Sequence, residues 1–154
     1  MIIGKTIEST KDISFGLSST LADTYTLYLK TQNYYWNATG PRFHQLHIIF
    51  KEQYKEMAAS LDYIAERIRG LGHRSPGSFK EFLKLNSIPE QIGALDEDSM
   101  ITELVKGHEA ISRKAREVIN IAKGIRDEAT VDLLSSRIEI HDRTARILSS
   151  FLKK

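Results

Sequence analysis

The chain has 154 residues, a net charge of +2, 41% hydrophobic and 27% charged residues, and no cysteine. That length fits one domain with its own core, 1–154, and that composition is ordinary for a soluble globular protein. Disulfides, thiolate metal sites and cysteine nucleophiles are excluded, and the mixed charge is not the basic footprint of a dedicated nucleic-acid binder.

The opening "MIIGKTIE" lacks the apolar run of a signal peptide, so a cytoplasmic location is expected. No stretch approaches the roughly 20 apolar residues of a membrane span. The Asn37-Ala38-Thr39 triplet matches a glycosylation acceptor, but without a secretory signal it carries no weight.

Apolar residues then recur at helical spacing between a few breaks. Ile13, Leu17, Leu21, Tyr25 and Tyr28 mark a first helix, with Ser9 or Thr10 as its N-cap and Gly40-Pro41 as its end. A second runs from Pro41 to the Gly70-Leu71-Gly72 break, with Leu46, Ile49, Phe50, Met57, Leu61, Ile64 and Ile68 as its stripe. "GHRSPGS" is a break, and "FKEFLKLN" a short helix whose Phe79, Phe82 and Leu83 need another surface to cover them.

The third long helix follows "LDEDS" and carries Met100, Ile101, Leu104, Ile111, Val118 and Ile121 up to Gly124. The last spans about Glu128 to Leu152 with Val131, Leu134, Ile138, Ala145 and Leu148 inward. No strand-like alternation is present. The expected fold is all-α: a four-helix bundle with a short extra helix in the connection between helices two and three.

A bundle of this size invites a buried two-metal carboxylate centre built on Glu-x-x-His. None exists here: the residues three before His44, His47, His73, His108 and His141 are Pro41, His44, Gly70, Val105 and Ile138. On the second helix, His44/His47, His47/Lys51 and Asp62/Glu66 each share a face. Imidazole and carboxylate suit iron, zinc or manganese. His47 and Asp62 are fifteen residues apart, about 22 Å along one helix, so they cannot hold one metal within one chain. Two antiparallel copies related by a two-fold axis would bring them together. His73 falls in a break, and His108 and His141 belong to no motif; all three read as surface or core residues.

Residues 35–72, "YWNATGPRFHQLHIIFKEQYKEMAASLDYIAERIRGLG", resemble the signature region of the Dps (DNA-protection-during-starvation) family of mini-ferritins. The order Trp-Asn-x-x-Gly-Pro, Phe-x-x-Leu-His, Glu-Gln-Tyr, Asp-x-x-Ala-Glu-Arg carries the likeness, and "DEATVDLL" and "HDRTARIL" extend it toward the end. The resemblance implies a hollow dodecamer that stores oxidised iron. It also implies a ferroxidase centre, preferring hydrogen peroxide, between two-fold-related subunits: His47 from one, Asp62 and Glu66 from the other.

Two positions depart from the family pattern. Tyr35 stands where the family has histidine, and Lys51 where it has a carboxylate. Both changes remove a ligand, and Lys51 adds a charge that can bridge to Asp62 or Glu66 of a second copy in place of a metal. The centre is therefore expected to be weakened, the alternative being a shell without ferroxidase activity. Trp36 is expected to pack in the core, with radical trapping by Trp36 and Tyr35 as a role the resemblance adds; Tyr35 is also a weak phenolate ligand in that reading. Asp132 matches a carboxylate lining the three-fold entry pores, with Asp127 and Glu128 extending the funnel. DNA protection has little support from termini without a Lys/Arg-rich arm.

Overall fold

A computed structural model describes residues 7–152. Its order is α1 (Ile7–Asn37), α2 (Phe43–Gly70), α3 (Phe79–Leu85), α4 (Glu97–Gly124) and α5 (Glu128–Ser150), with no strand among the described residues. Short connections, 38–42 and 125–127, fold α1 against α2 and α4 against α5, while 71–96 makes the long crossover and carries α3. α1 also packs on α4, and α2 on α5, closing a four-helix bundle. No described helix is long and apolar enough to cross a membrane.

The expected stripes are inward. Ile13, Leu17, Leu21, Ile64, Ile68, Val118 and Leu134 form one core cluster; Leu46, Phe50, Met57, Met100, Leu104, Ile111 and Leu148 belong to another. Each buried side chain of this size stabilises the fold by about 1.5–3 kcal/mol. Ile121 departs from its expected place and is 40% exposed near the end of α4. Ser9 and Thr10 lie inside α1 rather than capping it, because the helix already includes Ile7. The second helix begins at Phe43, two residues after the expected Pro41.

Gly40 makes the α1–α2 turn possible. Its φ is +129°, and a Cβ there would lie 2.7 Å from the Glu97 carboxyl carbon. The adjacent Arg42 ties this turn to the start of α4 through Glu97 and Asp98, and to the Phe151 carbonyl at 2.7 Å.

The crossover is held by polar groups on one stripe of α1. Ser19 donates to the Leu85 carbonyl (2.9 Å), and Lys30 to that of Pro89 (3.1 Å). Fully buried Asp23 accepts from the Ser87 amide (2.6 Å), the Ser87 hydroxyl (2.8 Å) and the Ile88 amide (3.1 Å). Spacings of 19, 23, 26 and 30 follow the helical repeat, with Thr26 accepting from Asn86. α3 consequently rests on α1, where Tyr25 meets Phe79 and Phe82. Ser78 and Glu81 cap α3 reciprocally.

His108 and His141, unconnected in the sequence, meet in the core. Arg137 donates to His141 Nε2 (3.1 Å), which places the neutral ring's proton on Nδ1, the donor to His108 Nδ1 (2.8 Å). Glu56 on α2 holds Arg137 from the other side with two hydrogen bonds. Burial drives both imidazoles toward the neutral form and the Arg137 charge adds to it, with His108 falling to about 3 and His141 well below its ordinary 6.5.

Two outcomes are expected. Asp23→Ala leaves the Ser87 amide and the buried Ile88 amide without their acceptor and lowers stability by about 2–4 kcal/mol in denaturant titration, with faster hydrogen exchange at those amides. In the unfolded chain both histidines titrate near 6.5, so the unfolded state takes up protons that the folded state refuses below that pH. Stability is therefore complete above about 6.5 and lost as pH falls toward 3; His108 contributes on the order of 2 kcal/mol of that loss near pH 5, and His141 acts in the same direction. His108→Leu makes that pH slope shallower.

Candidate metal centre

The candidate centre lies where α1 ends and α2 begins. A helix leaves its last carbonyls without intrahelical donors, and Tyr35 lies in that last turn. His47, in the second turn of α2, fills the need: its Nδ1–H donates to the Tyr35 carbonyl at 3.1 Å. The bond fixes the ring's orientation and leaves Nε2 as the nitrogen that can take a metal. The imidazole stacks on the Tyr35 ring (centroids 3.9 Å apart, planes 14°) and less closely on Phe43 (4.8 Å, 28°).

Lys51, one turn after His47, sets its Nζ 5.9 Å from the centre of the Tyr35 ring, at the outer range of a cation–π contact. Tyr35, His47, Ile48, Lys51, Glu52 and Lys55 line a surface hollow of about 410 Å³. Two ammonium groups against one carboxylate make this half-site basic, which opposes a divalent cation.

Asp62 and Glu66 lie exposed on the following turns of α2, and neither forms an ion pair among the described residues. α2 is one unbroken helix from Phe43 to Gly70, so the fifteen residues between His47 and Asp62 still correspond to about 22 Å. No group of three His, Asp or Glu side chains that could hold a metal occurs among the described residues of one chain. His44 is exposed and His73 half-buried beside Thr10.

The interior of the bundle does not fit a two-metal centre. Where such a site would need carboxylates, Arg137 holds a fixed positive charge beside the His108–His141 pair. The sequence gives a usable sign of that pair: His108 lies four after Leu104 and three before Ile111, and His141 seven from both Leu134 and Leu148. Both therefore sit in register with the core.

Two expectations need correction. Trp36 is 62% exposed rather than packed in the core, because α1 turns that face toward a groove beside α3. Asp127 cannot extend an acidic funnel: it is buried, caps α5 through the Thr130 amide (3.2 Å), and pairs with Arg67 at 3.0 Å. Asp132 and Glu128 are exposed, and share a hollow of about 290 Å³ with Lys123 and Arg126.

A family model described as a ferritin-like domain matches residues 16–154. DNA protection during starvation protein 2 of Bacillus anthracis is 33% identical over 138 residues, covering 90% of this chain and 94% of that protein. The crystal structure of the Dps protein of Vibrio cholerae, described as a member of a superfamily of ferritin-like diiron-carboxylate proteins, superimposes with a TM-score of 0.91 at 28% identity and 98% coverage of both chains. Dps from Thermosynechococcus elongatus gives 0.93 at 28% identity, covering 96% of this chain and 94% of that one. Sequence match, helix order and superposition agree, and the chain belongs to the Dps family of ferritin-like proteins.

Proposed function

We propose that the protein takes up ferrous iron, oxidises it with peroxide and stores the ferric product inside a hollow homo-oligomeric shell, a dodecamer by family analogy. Iron is the substrate and cargo. The observation that carries this reading is the His47 geometry: Nδ1 is committed to a backbone carbonyl, so Nε2 is presented for ligation. Asp62 and Glu66 of a second copy complete the centre in this reading, because rigid α2 keeps each chain's own pair about 22 Å away. Asp132 and Glu128 serve as carboxylates on the iron entry route.

The centre is weakened relative to a full ligand set. Tyr35 supplies a ring against His47 in place of a second imidazole, and Lys51 brings an ammonium in place of a carboxylate. Lys51 pairs with Asp62 or Glu66 across the interface when no iron is present, so loading requires that this pair open.

The second reading is a storage shell without its own oxidation chemistry, favoured by the two lysines that line the His47 hollow. DNA association is disfavoured by the small net charge.

Ferrous iron and peroxide mixed with the purified oligomer in a stopped-flow spectrometer separate the two. The proposed centre gives saturable oxidation faster than buffer, lost in Glu66→Ala. The Tyr35→His, Lys51→Asp double variant, with two ligands restored, oxidises iron on the order of 10–100-fold faster than the parent. A parent rate equal to buffer, with oxidation in the double variant alone, establishes the non-catalytic shell.

Lys51→Met tests the charge competition without supplying a ligand. Cobalt(II), followed by its visible absorption, binds this variant more tightly than the parent, and the difference shrinks as salt rises. Unchanged affinity would remove Lys51 from the account. For DNA, a gel shift at low salt is the most permissive test; no retardation there excludes a duplex partner.

A further inference from the structure

Tyr35 is the first of four tyrosines in ring contact. Tyr35 meets Tyr54 with centroids 5.4 Å apart, Tyr54 meets Tyr28 at 6.0 Å, and Tyr28 meets Tyr25 at 5.7 Å. All three contacts are edge-to-face. Tyr28 and Tyr35 lie seven residues apart on α1, about 10 Å, too far to touch. Tyr54, reaching across from α2, joins them. The far end, Tyr25, lines the groove of about 410 Å³ beside α3.

Packing alone does not account for the hydroxyls. None of these four phenols has a hydrogen-bond partner among the described residues, and each ring is only partly buried, so phenylalanine would pack as well. Tyr34 provides the contrast. It is buried, its hydroxyl donates to Gln91 Oε1 at 3.1 Å, it stands outside the chain of rings, and burial pushes its phenol well above the ordinary tyrosine range. What the four share is an oxidisable ring, a neighbour in contact, and a hydroxyl open to water that can accept the released proton.

We propose that Tyr35, Tyr54, Tyr28 and Tyr25 form a relay that carries a one-electron oxidising equivalent from the His47 centre to the groove beside α3. This rests on the reading of His47 as an iron-oxidising centre. Ferrous iron gives one electron to hydrogen peroxide, yielding ferric iron, hydroxide and a hydroxyl radical. The radical takes a hydrogen atom from the Tyr35 hydroxyl, forming water and a neutral phenoxyl radical. An electron then passes from the Tyr54 ring to Tyr35. Tyr35 regains a proton from water and Tyr54 releases one, and the same exchange repeats to Tyr28 and Tyr25. At Tyr25 a second ferrous ion supplies the electron and water the proton, restoring the phenol. Two ferrous ions and one peroxide are consumed, and no radical is released.

The test injects the oxidising equivalent without iron. The chain has no cysteine, so Lys55→Cys, in the hollow that holds Tyr35, gives a unique attachment point for a ruthenium polypyridyl photo-oxidant. The labelled oligomer is flashed with a cobalt(III) ammine quencher and a nitroso spin trap, and peptide mass spectrometry locates the adducts. The relay places adducts on Tyr28 and Tyr25 as well as Tyr35. Tyr54→Phe keeps the ring but removes the oxidisable phenol, so the Tyr28 and Tyr25 adducts disappear and that on Tyr35 remains. Tyr28→Phe, a second variant should the first fold poorly, loses the adduct at Tyr25 together with its own at position 28 and keeps that on Tyr35. Adducts on Tyr25 and Tyr28 that persist in Tyr54→Phe, or adducts confined to Tyr35 in the parent, overturn the relay. A repeat with ferrous iron and peroxide separates the two claims: relay labelling by light but none by iron supports the relay and refutes the iron-oxidising centre.

Discussion

The unbroken length of α2 governs how this molecule could use its candidate metal-ligating side chains. Twenty-eight residues from Phe43 to Gly70 contain no proline and no internal glycine, so the helix cannot fold back on itself. His47 and the Asp62/Glu66 pair are therefore fixed near opposite ends of a rigid rod. Chemistry that needs both must be made between two copies, so the proposed iron oxidation would itself require assembly. Exposed Phe43, Ile48 and Tyr63, which lie on the same helix, are the apolar groups such a contact would cover.

The remainder of the fold keeps that rod in place. The α1–α2 turn depends on Gly40, whose backbone lies against the Glu97 carboxyl, and on Arg42, which reaches α4 and the end of α5. Glu56 anchors the middle of α2 through Arg137 on α5, and Arg67 anchors its end through Asp127 and Thr130. Three ionic contacts thus fix the beginning, centre and end of one helix to its partners. Each places at least one nearly buried charge opposite its counter-charge, where loss of one member leaves an uncompensated charge and costs more than the pair itself contributes.

Much of this was legible in the sequence because helices announce themselves by period. The apolar stripes, the Gly-Pro break and the short helix after "GHRSPGS" needed only spacing and breakers, whereas the starts of α1 and α2 fall away from the expected residues. Arrangements that depend on two distant elements were not legible. The Ser19–Asp23–Thr26–Lys30 stripe reads as an ordinary polar face until the crossover is seen against it. Trp36 shows the converse limit: its size argues for burial, and only the direction of α1 at its end shows that it faces outward. Asp127 resembles a surface acid in "RDEAT", yet Arg67, sixty residues earlier, makes burial affordable. His47, Asp62 and Glu66 could be picked out as ligands by residue type and spacing, but the tautomer of His47 follows from a carbonyl twelve residues away.

Charge along α2 then sets the character of the proposed centre. Lys51 and Lys55 lie on the His47 side of α2, and Asp62 and Glu66 lie further along it, ahead of Arg67, which is committed to Asp127, and Arg69 in the last turn. In the proposed antiparallel pair, Lys51 and Lys55 of one copy would approach Asp62 and Glu66 of the other, and that attraction would help orient it. The same attraction competes with iron, because an ammonium and a divalent cation seek the same carboxylates. Exposed pairs of this kind are worth only about 0–1 kcal/mol, so the competition is weak where water enters and stronger once the interface closes over it. A carboxylate at position 51 would reverse the balance, strengthening iron binding while setting like charges against each other in the metal-free pair. In the proposed centre, lysine there would favour an interface that holds together without metal, at the expense of a site that must displace an ion pair before it can load.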